Sequence, residues 1–263
     1  MVNQRLIHAV MALRGDQKSL LGGHLSHFTV NLRQNQRQVP MYTLHYAPDN
    51  ASLIIRLVLE EAGLPYKTAL VNRAINAQDS AAYRVINPAG LIPALETPHG
   101  PIFETAAILL WLSDRHSLGP APDAPLRGAF LKWLFFMSNT AHADLRQLFY
   151  PSQYVPPEAT AGHHALLCAR MVRHFGLLDR AAQTDPALFA PPSILTAYLA
   201  ALMRWSVLYP LGQDRWFHLD AYPHLSGHIA AFEARPATQR AATDPTENLG
   251  PTPFTAPHHS TPA

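Results

Sequence analysis

Residues 90–116, GLIPALETPHGPIFETAAILLWLSDRH, decide the fold. An aliphatic run begins at Pro93, and the first residue of a strand is a position where a sheet tolerates proline. His99-Gly100 forms a tight turn and Ile102-Phe103 a second short strand. From Glu104 onward Ala106, Ala107, Leu109, Leu110 and Leu112 recur at helical spacing, so residues 104–116 read as a helix. Two strands joined by a turn and running into a helix make a ββα unit.

Upstream, residues 42–46 (YTLHY) read as a strand. Pro48-Asp49-Asn50 supplies turn chemistry, and Asp49 or Asn50 can cap the free N–H groups of the helix that follows. That helix covers residues 51–63. Leu53, Ile54, Leu57, Val58 and Ala62 form its apolar face, Arg56, Glu60 and Glu61 its outer face, and Gly63 ends it. Residues 65–71 read as a second strand, and 79–86 as a short helix halted before Asn87-Pro88. The order is therefore βαβ, helix, ββ, helix.

Strand patterns vanish after residue 118. Residues 119–125 (GPAPDAP) form a proline-rich linker, and 126–149 read as one long amphipathic helix carrying Trp133, Leu134, Phe136, Met137, Ala141 and Leu145. Further helices are expected at 159–182, 194–207, 223–232 and 236–242, the last two with proline in their first turns. The domain reading is a basic extension over 1–40, either disordered or upstream of the true start, an α/β domain over 41–118, a linker over 119–125, an all-helical domain over 126–245 and a loose, disordered proline-rich tail over 246–263. The extension carries Arg5, Arg14, Lys18, Arg33 and Arg37 against Asp16 alone. It has no hydrophobic core of signal-peptide length.

Composition narrows the possible functions. The chain of 263 residues is 48% hydrophobic and 14% charged, which suits a folded rather than a disordered protein. A formal net charge of +2 gives no electrostatic case for nucleic acid as a partner. No apolar run reaches the ~20 residues of a membrane span, and the expected location is the cytoplasm. Cys168 is the only cysteine, so the chain has no intramolecular disulfide and no Cys-x-x-Cys redox pair. It reads as a small core residue. His163 and His164 are adjacent, their side chains diverge on a helix, and no metal site is expected.

A βαβ–α–ββα unit, a proline-rich linker and then helices resembles the cytosolic glutathione S-transferases, over about residues 42–242. Three motifs carry the likeness. Leu91-Ile92-Pro93 resembles the family loop in which a cis-proline turns the preceding backbone outward to grip the cysteinyl part of glutathione. Phe103-Glu104-Thr105-Ala106 resembles the Glu-Ser pair at a helix start, where Glu104 would take the γ-glutamyl ammonium. Thr105 with the helix N-terminus would hold its carboxylate. Ser193-Ile194-Leu195-Thr196 resembles the Ser-x-x-Asp capping box, with Thr196 in place of aspartate and so a weaker cap. The resemblance implies a thioredoxin-like α/β N-terminal domain with an all-α C-terminal domain, glutathione as co-substrate and a homodimer.

The chemistry implied is thiolate formation. A thiol of pKa near 8.5 is about 3% ionised at pH 7, and lowering its pKa by two units takes roughly 2.7 kcal/mol of thiolate stabilisation. The donor belongs at the end of the first strand or the start of the first helix. The segment Tyr46-Ala47-Pro48-Asp49-Asn50-Ala51-Ser52 most resembles the bacterial beta class, but Ala51 stands where that class has a cysteine. Ser52, Tyr46 and Asn50 are the candidate donors, while Asp49 beside a thiolate would oppose ionisation. His142 matches the histidine of a His-Lys pair that points into the family's cleft, with Ala143 replacing the lysine. Phe135, Phe136, Phe149 and Tyr150 offer apolar surface to a second substrate.

The function expected is glutathione conjugation to a small hydrophobic electrophile. One alternative is a non-catalytic transferase-like module for ligand binding or protein interaction. Another is glutathione-dependent reduction or dehalogenation through the same thiolate.

Overall fold

The computed structural model describes residues 42–259; the expectations for residues 1–40 and for the end of the tail lie outside them. Strand β1 (Tyr42–Tyr46) is central and almost wholly buried. It pairs in parallel with β2 (Tyr66–Leu70), Tyr42 opposite Tyr66 through Tyr46 opposite Leu70. On its other side β3 (Ala94–Thr97) runs antiparallel, and β4 (Gly100–Phe103) pairs with β3 through the expected turn. The sheet order is β2-β1-β3-β4. This is a thioredoxin-like mixed sheet.

Helix α1 (Ser52–Glu61) connects β1 to β2. It packs on β1, on α3 (Thr105–His116) and on two helices of the second domain, α8 (Ile194–Leu208) and α10 (Pro236–Thr243). Being covered on several sides, it buries nearly all its residues, Arg56 among them at 1% exposure. The sequence places Arg56 on the outer face, and the structure overturns that. A single-helix pattern cannot show that a second domain covers the polar face. The short helix α2 (Ala81–Ile86) is capped by Ser80, whose hydroxyl accepts from the Tyr83 N–H at 3.2 Å.

The second domain is all helix. The long helix expected over 126–149 forms as α4 (Arg127–Phe136), a π-helical turn (Met137–Ala141) and α5 (His142–Phe149). A π turn holds an extra residue, so it re-aims every side chain after it, and such turns recur at functional sites. Helices α7 (Pro186–Phe189) and α9 (Pro223–Glu233) pack on α8, and α6 (Thr160–Thr184) packs on α5, α7 and α9. Helix α8 is buried from Ile194 to Ser206, and a helix apolar on nearly every side is a core helix. Ser193 caps it, accepting from the Leu195 N–H at 3.2 Å and donating to the Leu188 carbonyl at 2.8 Å. Thr196 does not act on the cap; its hydroxyl donates to the Phe189 carbonyl and ties down the preceding turn.

The loose-tail expectation fails for residues 246–259. Leu249 and Phe254 are fully buried. The Glu233 carboxylate accepts from the Phe254 N–H at 2.6 Å and the Thr255 N–H at 2.9 Å. Proline content signalled a loose end because a linear reading cannot see that Arg56, Arg204 and Glu233, on three different helices, wait for this segment. Among the described residues no helix is long and apolar enough to cross a membrane.

Candidate active site

A cavity of about 590 Å³ opens between the sheet domain and the helical domain, within the size range of small-molecule sites. One wall comes from the loop after β1, the loop before β3 and the start of α3. The other comes from the π turn, α5 and the end of α8.

The loop before β3 is fixed from beneath. Buried Asn87 donates through Nδ2 to the Leu91 carbonyl at 2.7 Å, and Tyr83 donates its hydroxyl to the same oxygen at 2.7 Å. The Ile92–Pro93 peptide is cis, as the motif implied. Ile92 and Pro93 line the cavity, and among the described residues the Ile92 N–H has no backbone partner. That leaves it free to pair with an extended peptide.

Glu104 sits immediately before α3 with φ 71° and ψ 117°. A non-glycine residue there stores about 1–3 kcal/mol of backbone strain, and such positions cluster at ligand sites. Its carboxylate makes no capping bond to the helix, so it stays available. Thr105 follows at the first helical position, 7% exposed, where the free N–H groups and the helix dipole favour an anion.

The candidate donors after β1 separate. Asn50 lines the cavity; its Oδ1 accepts from the Ala51 N–H at 2.8 Å, which leaves its amide N–H groups as donors. Ser52 does not line it. The Ser52 side chain is fully buried, donating to the Ala47 carbonyl at 3.1 Å and accepting from the Ala47 N–H at 3.3 Å. Tyr46 does not line it either, its ring lying in the core under the Arg56 guanidinium at 5.0 Å. A strand alternates sides, and sequence alone does not say which side meets the cleft.

His142 lines the cavity from the second domain. Its Nδ1 is 2.9 Å from the Tyr198 hydroxyl, and its ring lies 5.6 Å from that of Trp205. Burial, reinforced by Arg146, pushes the His142 pKa down to about 4, so the ring is neutral at physiological pH. Burial pushes the Tyr198 hydroxyl well above the usual tyrosine range. Tyr198 therefore donates, Nδ1 accepts, and the ring proton belongs on Nε2, which is left as a donor.

Asp49 is the residue sequence reasoning most undervalued. It has φ 46° and is gripped by the buried Arg204 through two bonds of 3.0 Å. The Trp205 indole N–H adds a bond of 2.8 Å and the Tyr209 hydroxyl one of 3.3 Å. Arg204 also donates to the Pro253 carbonyl at 2.9 Å, so the tail and the site loop share one guanidinium. Asp49 faces its partners rather than a thiolate. Burial, with the Asp49 charge beside it, pushes the Tyr209 hydroxyl up to about 12.

Of the apolar candidates, Phe149 and Tyr150 line the cavity. Phe135 is 42% exposed elsewhere, and Phe136 packs against Trp133 and His174. Trp205 and Tyr209, which the sequence reading missed, line the cavity in place of Phe135 and Phe136. Cys168 is half-buried on α6, 3.7 Å from His164, with its thiol pKa raised by burial.

Residues 51–115 match the family model of the glutathione S-transferase N-terminal domain. A glutathione S-transferase-like protein from Beauveria bassiana, OpS6, is 26% identical over 195 residues, 72% of this chain and 88% of that protein. Elongation factor 1-gamma 2 of Oryza sativa is 31% identical over 101 residues, 36% of this chain and 23% of its own length. Two further curated relatives are matched over 57% and 48% of their length. A crystal structure of a glutathione transferase from Burkholderia graminis, with two glutathione molecules bound per subunit, superposes with a TM-score of 0.65 at 24% identity, covering 78% of this chain and 88% of that one. By its N-terminal domain and its whole fold, the chain is similar to the glutathione transferases.

Proposed function

We propose that the chain binds glutathione in this cleft and joins its thiolate to a small apolar electrophile. The observation that carries the reading is the convergence of Asn50, Ile92, Pro93, Glu104, Thr105 and His142, from four separate segments, on one cavity. In this reading Ile92 pairs with the cysteinyl backbone. Glu104 takes the γ-glutamyl ammonium, and Thr105 with the start of α3 holds the adjacent carboxylate. The thiol loses its proton to solvent, and the thiolate accepts hydrogen bonds from the Asn50 amide and the His142 Nε2–H. It then attacks the electrophilic carbon, forming the C–S bond as the leaving group departs with its electron pair. Phe149, Trp205 and Tyr209 cover the apolar partner. The dimer implied by the resemblance belongs to the proposal, and strongly exposed Leu70 and Val85 are apolar surface that a second copy could cover.

A second reading, a non-catalytic ligand-binding or protein-interaction module, draws on one feature. Ala51 replaces the class cysteine while Ser52 and Tyr46 face inward, so the β1–α1 segment offers the cleft an amide but no hydroxyl or thiol side chain. Titration with glutathione near pH 6.5, following ultraviolet thiolate absorbance and binding heat together, separates the two. Binding with thiolate formation is expected. Binding without thiolate favours the module, and no binding at millimolar glutathione removes both glutathione readings.

A further inference from the structure

Two cations line the cleft without a carboxylate partner, a state they share with Arg115, Lys132 and other cations outside it. Arg56, Arg84, Arg127, Arg170, Arg204, Arg235 and Arg240 each have a carboxylate within 4.0 Å. Arg73 and Arg146, the two cations that line the cavity, have none among the described residues. Both stand over the ring of Tyr150, at 5.7 and 5.1 Å from its centroid. Arg73 also donates to the Tyr150 hydroxyl at 2.8 Å. Arg146 is steadied by neutral groups only, the Tyr154 hydroxyl and the Gln153 side-chain Oε1, each at 3.1 Å.

Two guanidinium groups beside one ring repel each other, and no internal anion relieves them. The acids of the cleft do not serve: Asp49 is consumed by Arg204, and Glu104 stands at the start of α3. Arg146 is also placed by the helix. His142, Arg146 and Phe149 fall at i, i+4 and i+7 of α5, one face, and all three line the cavity. A ligand lying along that face meets the proposed hydrogen-bond donor to the thiolate, a fixed cation and an aromatic surface in turn. The Phe149 ring in turn packs edge-on against Tyr209 at 5.6 Å.

We infer that the second-substrate subsite is built for an aromatic or apolar molecule bearing an anionic group, a carboxylate or its like, with Arg146 as the residue that selects the charge and Arg73 in support. The inference rests on the cleft being the ligand site proposed above, but the subsite can be probed without glutathione. An arginine binds a carboxylate through two parallel N–H bonds, which fixes orientation as well as charge. An anchored carboxylate would hold the reactive carbon of an aryl halide at a set distance from His142. Attack by the thiolate would then form the C–S bond and expel halide.

The test is binding of 3,5-dinitrobenzoate and of neutral 1,3-dinitrobenzene by calorimetry, on the full chain without glutathione. The wild type is expected to bind the benzoate at least tenfold tighter, the scale of one charged hydrogen bond. Arg146→Ala should bring the two within about twofold while leaving dinitrobenzene binding unchanged, and Arg146→Lys should restore part of the preference. Equal wild-type affinity for the two probes overturns the inference. So does an equal loss for both probes in Arg146→Ala, or displacement of the benzoate by glutathione, which would assign the cation to glutathione itself. Glutathione binding by the same variants is measured separately. Its absence alongside intact benzoate selectivity would strike the glutathione reading and leave the anion subsite standing.

Discussion

Two polar regions meet at the loop after β1, and they are built on opposite plans. One is the seam between that loop, α1, the end of α8 and the tail. The other is the face of the cleft. In the seam charged groups are buried and matched: Arg204 with Asp49, and Arg56 with Asp244 at 3.0 Å and Glu247 at 3.1 Å. Ser52 closes on the backbone of Ala47. On the cleft face Glu104, the Asn50 amide, His142 Nε2, Arg73 and Arg146 keep valences to spare. The seam spends its polar groups on holding the site loop still, and the cleft keeps its own for a ligand. Variants in the seam should therefore move stability and leave binding chemistry alone, and variants on the cleft face should do the reverse.

The largest effect is expected at Arg204. Arg204→Ala leaves the Asp49 carboxylate mostly buried without its cation, a change that costs about 3–5 kcal/mol in comparable pairs. Urea unfolding reads it directly, and a loss under 1 kcal/mol would mean that the tail does not lock the loop. Glu104→Ala comes next. It should weaken glutathione binding by about 1.5–3 kcal/mol, the range for a charged hydrogen bond, with the unfolding midpoint held because alanine keeps the Cβ and so the same backbone strain. Unchanged affinity would take Glu104 out of the site.

The third is a pair of opposed pH slopes. Burial pushes the Glu247 pKa from 4.5 up to about 7, against the pull of Arg56. Between those values the folded state holds a proton that the unfolded state has lost, so this group lowers stability as pH rises from about 4.5 to about 7 and adds no slope above. His142 works the other way. Its pKa of about 4 lies below the ordinary 6.5, so the unfolded state binds the extra proton and stability rises with pH between about 4 and 6.5. Each slope is at most about 1.4 kcal/mol per pH unit. Glu247→Gln should steepen the rise of stability with pH, and His142→Gln should turn it downward; unfolding curves from pH 4.5 to 7 that coincide with wild type would refute both.

The smallest effect is expected at Ser52. Ser52→Ala should cost about 1 kcal/mol of stability, the scale of a buried hydrogen bond, and leave the ionisation of bound glutathione where it was. Tyr46→Phe should likewise leave the thiol unchanged. A rise in thiol pKa in either variant, seen by ultraviolet absorbance, would put a seam residue back in the cleft.

Much of this protein can be read along the chain. The ββα unit of residues 90–116, the cis-proline motif at Ile92-Pro93 and the Glu104-Thr105 helix start are local patterns, and local sterics and hydrogen bonding write them into neighbouring residues. The helical domain is legible for the same reason, since amphipathic spacing and proline placement are short-range. Tertiary structure alone decided the rest. Tyr46 and Ser52 were chemically fit to activate a thiol, but the side of β1 and α1 that meets the cleft depends on what packs behind them. Arg56 belonged on an outer face until a second domain and the tail covered it. The proline-rich tail gained its order from buried partners up to 198 residues away, where Glu247 meets the Asp49 N–H. Short-range preferences set which elements form. Which polar groups end up matched and which stay free depends on distant residues brought together, and here that pairing separates the groups that hold the fold from those that face the cleft.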